Sequence, residues 1–149
     1  MNHDIKKKGS YGVFASINII QEIMKIGEMA QRTDLPESTL RYYEKKGLLK
    51  VARDSGGRRD YEESDIAWIR FIRRLKETGM LLKDIKQYSE LRYRGQSTMP
   101  KRLEILLQHR EYVEEQYRKW QEYLQNLDDK IVFYQQSIES RQSPEQNKK

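Results

Sequence analysis

The stretch Arg41-Tyr42-Tyr43-Glu44-Lys45-Lys46-Gly47-Leu48-Leu49 reads as the second half of a short helix that stops at Gly47, a residue suited to the position just past a helix C-terminus. The helix begins near Pro36, whose fixed φ fits a first-turn position. Leu40 and Tyr43 fall on its inner side, and Arg41, Tyr42 and Lys45 project outwards. Upstream, Ile26, Met29 and Ala30 share one face of an earlier helix, which Arg32-Thr33-Asp34-Leu35-Pro36 interrupts. Two short helices across a tight turn make a helix-turn-helix candidate, a pattern that any helical hairpin of this length shares.

Downstream, the turn residues Asp54-Ser55-Gly56-Gly57 separate two short extended arms between Leu48 and Tyr61, which predicts a β-hairpin carrying Arg53, Arg58 and Arg59. Ser64 and Asp65 offer N-cap oxygens to a helix with Ile66, Ile69, Ile72 and Leu75 inside, ending at Gly79. A further helix places Leu82, Ile85, Tyr88 and Leu91 three and four residues apart, and Arg92 to Pro100 reads as a connector. Beyond Pro100, Leu103, Leu106, Arg110, Val113, Tyr117, Trp120, Leu124, Leu127, Ile131, Tyr134 and Ile138 follow in alternating steps of three and four. That is a heptad repeat with Arg110 as its only charged member, and a 3.5-residue period keeps one stripe facing a partner helix. The stripe is roughly 50 Å long, too long for the small head of the same chain to cover. Homodimerisation through a coiled coil is the expected arrangement.

Composition narrows the function classes. The 149 residues leave room for one small domain and an extension. No apolar run reaches the length a membrane span needs, the stretch from Val13 to Ile20 being too short, so a soluble, cytoplasmic protein with no membrane partner is expected. The sequence holds no cysteine, which excludes disulfides, thiolate metal sites and cysteine nucleophiles. His3 and His109 stand far apart without carboxylates at ligand spacing and read as surface side chains; no metal or other cofactor is expected. The net charge of +6 is uneven: residues 24–98 hold 17 basic against 12 acidic side chains, and residues 99–149 hold 9 of each. The basic excess therefore lies in the head, as in a chain that meets a polyanion.

The recognition-helix stretch, with Gly57-Arg58-Arg59-Asp60-Tyr61 after it, resembles the mercury-resistance-regulator (MerR) family. Its members carry an arginine-tyrosine-tyrosine-glutamate recognition helix ending in glycine-leucine, then a wing of glycine-x-arginine-x-tyrosine, filled here by Gly57, Arg59 and Tyr61. Ile26-Gly27-Glu28-Met29-Ala30 and Lys76-Glu77-Thr78-Gly79 extend the likeness from Met24 to about Leu91. The resemblance implies a mainly α fold, a winged helix-turn-helix head with a small β-hairpin wing followed by a long coiled-coil helix. The expected organisation is a flexible extension over residues 1–23 with Lys6-Lys7-Lys8, a DNA-binding domain over 24–94, a connector over 95–100, a dimerisation helix over 101–140 and a polar, disordered tail over 141–149.

Together, the resemblance and the outward projection of cations give an expected DNA surface of Thr39, Arg41, Tyr42, Tyr43 and Lys45 on the helix, Arg53, Arg58, Arg59 and Tyr61 on the wing, and Lys76 beyond it. Tyr43 and Tyr61 also read as core aromatics with a hydroxyl at the surface, Tyr61 as readily so as a DNA contact. The expected dimer contacts are Leu103, Leu106, Val113, Tyr117, Trp120, Leu124, Leu127, Ile131 and Tyr134. The resemblance further implies a transcription regulator, activator or repressor, that acts on double-stranded promoter DNA. It implies a homodimer with an antiparallel helix pair, a near-palindromic site with an over-long spacer that is bent and untwisted, and RNA polymerase as a partner.

Three positions depart from the family pattern: Asp34 stands for a turn glycine, and Pro36 and Leu81 for capping residues. Aspartate tolerates a left-handed backbone; Leu81 cannot cap a helix. Metal-sensing and thiol-stress relatives use cysteines, and Arg74, in Phe71-Ile72-Arg73-Arg74-Leu75, occupies the place of one of them. A small-molecule effector, if one acts here, is left unidentified. Tyr112, Tyr117, Trp120, Tyr123, Phe133 and Tyr134 either line a small site beside the head or pack the helix seam. The nucleophile–base pairs and phosphate-cradling glycine loops of enzymes are missing, since a hairpin turn explains Gly56-Gly57. A coiled-coil adaptor or a non-specific DNA-binding protein would share the heptads and the basic head.

Overall fold

Three helices of the head end in the same way, and those endings set the path of the chain. In the computed structural model, which describes residues 22–143, α1 (Ile26–Thr33), α2 (Glu37–Lys45) and α3 (Glu63–Glu77) are each followed by a left-handed residue. These are Asp34 (φ 55°), Gly47 (φ 74°) and Gly79 (φ 88°). The next N–H folds back onto the last turn: Leu35 to the Ala30 carbonyl at 3.1 Å, and Leu48 to Tyr43 and Met80 to Leu75 at 3.0 Å each. Each bond satisfies a carbonyl left over at a helix end and delivers an apolar residue to the core. Asp34 thus takes the turn geometry expected of it. The expected extension up to Gln21, with His3 and Lys6-Lys7-Lys8, lies outside the described residues, as do residues 144–149 of the expected tail.

Two helix starts differ from the sequence reading. Pro36 is the N-cap of α2 rather than a first-turn residue, with extended ψ of 147°. Glu62 caps α3, ahead of the expected Ser64-Asp65, and Asp65 Oδ2 reaches back to accept the Glu62 N–H at 2.8 Å. A carboxylate at the third helical position caps by that route, so a cap-like residue in sequence sits inside the helix.

Between α2 and α3 lies the wing, β1 (Ala52–Arg53) paired antiparallel with β2 (Arg59–Asp60). Asp54 Oδ1 accepts the N–H groups of Gly56 and Arg58, both at 2.9 Å, and Gly57 closes the turn at φ 79°. Lys25 binds Asp54 at 2.8 Å and also bonds Asp60. The Lys25 ammonium, with these backbone donors, pulls the Asp54 carboxyl down to about 2. Met24 pairs with Tyr61 through two 2.8 Å backbone bonds, so the chain just before α1 joins the hairpin.

The core fills the space between α1–α3, the wing and α4 (Leu82–Arg94). Ile66, Ile69, Ile72 and Leu75 of α3 are buried as their spacing requires, and Trp68 joins them. The Trp68 indole N–H (3.0 Å) and the buried Ser89 hydroxyl (2.7 Å) both donate to the Leu48 carbonyl. Two residues on, the Lys50 N–H donates to the Tyr93 hydroxyl at 3.0 Å. Leu81 is an uncapped N-cap and 60% exposed, the departure the sequence flags.

After Gly95 and one 3₁₀ turn (Gln96–Thr98), α5 runs from Met99 to Gln142, about 66 Å at 1.5 Å per residue. Its first turns lie back on the head. Ile105 and Leu106 pack against the core, His109 Nε2 meets the Thr78 hydroxyl at 2.7 Å, and Tyr112 lies on Gly79, where a Cβ would sit 3.0 Å from the ring. Two expectations change here. Leu106, expected in the dimer stripe, is partly buried against its own head. His109 is a packing residue at a helix junction, and its loss of solvent lowers its pKa, against a smaller opposing effect of Asp84. Among the described residues no helix is long and apolar enough to cross a membrane.

Acid should loosen the wing at a definite pH. The folded carboxyl of Asp54 titrates about 2 against about 4 in an unfolded chain. Its contribution is therefore complete above pH about 4 and lost as the pH falls through about 2. Amide shifts of Gly56 and Arg58, followed from pH 6 downward, should move with a midpoint near the lower value; a midpoint near 4 would disprove the Lys25 link.

Candidate nucleic-acid interface

The sequence of α2 alternates what the core needs with what solvent allows. Leu40 is fully buried and Tyr43 is 2% exposed, whereas Arg41, Tyr42 and Lys45 face out and Thr39 is half-buried. Arg41 leans back on Glu37 at 3.0 Å, a pair one turn apart. Glu44 stands between the two faces and joins the helix to the wing. It accepts Arg53 at 2.6 Å through one oxygen and Arg59 Nε at 2.5 Å through the other. The two guanidiniums are thereby fixed at one edge of α2, while Arg58 is exposed near the hairpin tip.

From the other side, Lys76 at the end of α3 places its ammonium 5.0 Å from the Tyr42 ring centre and 5.4 Å from that of Tyr43. Lys46 lies 5.7 Å from the Tyr42 ring. Cations held over an aromatic face gain from its quadrupole, and here they surround the one exposed tyrosine of the helix. The outward donors of α2 are thus bordered by the wing's arginines along one edge and by Lys76 along the other. Such a set matches phosphate oxygens and, on the helix, the acceptor edges of bases.

Two of the expected surface residues lie beneath the surface. Tyr61 is wholly buried and Tyr43 nearly so, which leaves neither ring at the surface. Burial pushes the Tyr61 phenol up to about 12 and raises that of Tyr43. Among the described residues, the Tyr61 hydroxyl is the buried side-chain polar atom with no hydrogen-bond partner. Both tyrosines hold the surface from beneath. Sequence reasoning gave no role to Glu44, Lys25 or Lys46. For Glu44 the signal was available: a carboxylate among cations, followed by three arginines on a hairpin.

Two hollows lie where α5 passes the end of α3. One, of about 360 Å³, is bordered by Met80, Asp84, Ile105, His109 and Tyr112; the other, of about 370 Å³, by Thr78, Tyr112, Val113, Tyr117 and Trp120. Tyr123, Phe133 and Tyr134 lie farther along and are more than half exposed.

Comparison with known proteins agrees with this geometry. The sequence profile of the MerR HTH family regulatory proteins matches residues 24–91, and that described as MerR, DNA binding matches residues 66–130. An uncharacterized HTH-type transcriptional regulator of Haemophilus influenzae is 37% identical over 109 residues, covering 72% of this chain and 81% of that protein. Among solved structures, HiNmlR, a MerR family regulator lacking the sensor domain and bound to promoter DNA, is similar with a TM-score of 0.69 and 34% identity. The match covers 78% of this chain and 93% of that one. A putative MerR family transcriptional regulator from Listeria monocytogenes gives a TM-score of 0.75 at 29% identity, over 80% of this chain and 91% of its own.

Because the Tyr61 hydroxyl gains no partner in the fold, Tyr61→Phe should leave the melting temperature unchanged or raise it. A fall of several degrees in a thermal melt would show that the hydroxyl is paired.

Proposed function

The chain belongs to the MerR family of DNA-binding transcriptional regulators, which are not enzymes, and from that we propose that it works as a homodimer on a near-palindromic promoter site. The observation that carries the DNA half is α2 with Tyr42 exposed, edged on one side by the Glu44-anchored arginines and on the other by Lys76. In this reading α2 enters the major groove with Thr39, Arg41, Tyr42 and Lys45, while Arg53, Arg58, Arg59 and Lys76 hold flanking phosphates. Each phosphate neutralised releases counterions, so affinity falls steeply with salt.

The dimer half rests on α5. Leu103, Tyr117, Trp120, Leu124, Leu127, Ile131, Tyr134 and Ile138 are each 45–69% exposed, and Val113 is half-buried. Covering such side chains stabilises by about 1.5–3 kcal/mol each when burial is complete. An antiparallel second copy covers the stripe with the same stripe. The two heads then sit at opposite ends of the helix pair and meet two half-sites of one duplex. A spacer longer than the heads' separation is matched by bending and untwisting the DNA, which presents both promoter elements to RNA polymerase. Either hollow beside α5 is large enough for a small effector.

A mobility-shift titration on the chain's own promoter region should show retention that survives excess random duplex. Loss of all binding to that competitor would favour a non-specific DNA-binding protein. Tyr42→Ala should weaken the specific complex by about 1–3 kcal/mol if the contact reads a base, and Arg59→Ala should weaken binding and lower the salt slope by about 1, both with unchanged circular dichroism. Wild-type affinity in either would refute the assigned surface. Replacing Leu124 and Leu127 together by lysine should give monomers in sedimentation; a persistent dimer would place the interface elsewhere.

A further inference from the structure

Away from the residues assigned above, α3 carries a second set of cations. Arg70, Arg73 and Arg74 lie three and four residues apart, on neighbouring positions of the helix surface. With Arg32 at the end of α1 they border a depression of about 310 Å³, whose acidic members are Asp34 and Glu77. Two of these arginines are held by the turn between α1 and α2. Arg70 donates to the Arg32 carbonyl at 2.6 Å, and Arg73 donates to the Asp34 carbonyl at 3.3 Å.

The charge here is unevenly compensated. Arg32 pairs with Glu63 at 2.9 Å, Glu28 at 3.3 Å and Glu22 at 3.6 Å, and Arg73 pairs with Glu77 at 2.9 Å. Arg70 and Arg74 make no ion pair among the described residues, and both are exposed. A guanidinium has five N–H donors, and Arg70 spends a single hydrogen bond on the turn, so it is oriented while most of its donors face solvent. Structural packing needs no such density of cations around a hollow. Nor does the stripe stand apart from the head's cationic side. Arg73 is close enough to Tyr43 to lower its phenol pKa, and Tyr43 lies under Lys76.

We propose that Arg70 and Arg74, with Arg32 and Arg73 behind them, form a phosphoryl-group site. Planar forks of donors bordering an open depression suit the tetrahedral oxygens of a phosphate. The phosphate comes from the DNA backbone running past Lys76 or from a free phosphate-bearing molecule. The DNA source rests on the function proposed above; the free source does not.

The test uses the full chain and the double variant Arg70→Ala/Arg74→Ala, with Arg74→Glu alone as a second variant that leaves the turn contact of Arg70 in place. Circular dichroism checks the fold. Affinity for the chain's own promoter duplex is measured over a range of salt, and binding of inorganic phosphate and pyrophosphate is followed by calorimetry. If DNA supplies the phosphate, the slope of log affinity against log salt falls by about 1 for each contact removed, uniformly across sequences. If a free ligand does, pyrophosphate binds the wild type saturably, the variants lose it, and the slope stays the same. An unchanged slope together with no saturable anion binding overturns the site. Failure of the wild type to bind its promoter would instead count against the proposed function, with the anion arm still deciding the site.

Discussion

The Leu48 carbonyl is the point on which the head depends. A chain leaving a helix through a left-handed glycine must dispose of the backbone groups that follow, and in a core they cannot be left to water. Here the carbonyl after Gly47 accepts both the Trp68 indole and the Ser89 hydroxyl, and the Lys50 N–H then meets Tyr93. One short segment at the end of α2 is thereby bonded to α3 and α4 at once. These bonds hold the start of the wing over the core, so that Arg53 and Arg59 come within reach of Glu44. Trp68 stacks on Tyr88 at 5.7 Å, which carries the same junction into the α4 side of the core.

From that junction outward the electrostatics follow a simple division. Acids on the head are used to place cations: Glu44 holds Arg53 and Arg59, and Asp54 and Asp60 hold Lys25. An exposed ion pair is worth little to stability, but it restricts where a long side chain points. That is of use to a surface which must present several cations to one regular polymer. Tyr42 is ordered in a different way, by ammonium groups over its ring.

The long helix shows the opposite economy. Its first turns are committed to the head through Ile105, Leu106, His109 and Tyr112, and the rest of its apolar stripe is largely uncovered among the described residues. A single helix this polar on the remaining faces gains most of its tertiary stabilisation from whatever meets that stripe. The long helix therefore meets the head at the α3–α4 turn, where Tyr112 rests on Gly79.

By itself the sequence determined the kinds of element, their order, the residues past three helix ends and the heptad stripe, because these follow from local periodicity and from backbone freedom. Asp34, Gly47 and Gly79 are examples: a left-handed position selects its residue wherever the rest of the chain goes. The tertiary structure alone decided the rest. Tyr42 and Tyr43 are adjacent and chemically alike, yet one is exposed and the other buried, and Tyr61 sits wholly inside. Leu103 and Leu106 share one heptad pattern, but only Leu106 meets the core. Glu44 finds partners 9 and 15 residues away, a pairing that no helical or strand period encodes. Side-chain spacing reports the face of one element, whereas burial and charge pairing depend on which other element packs against that face.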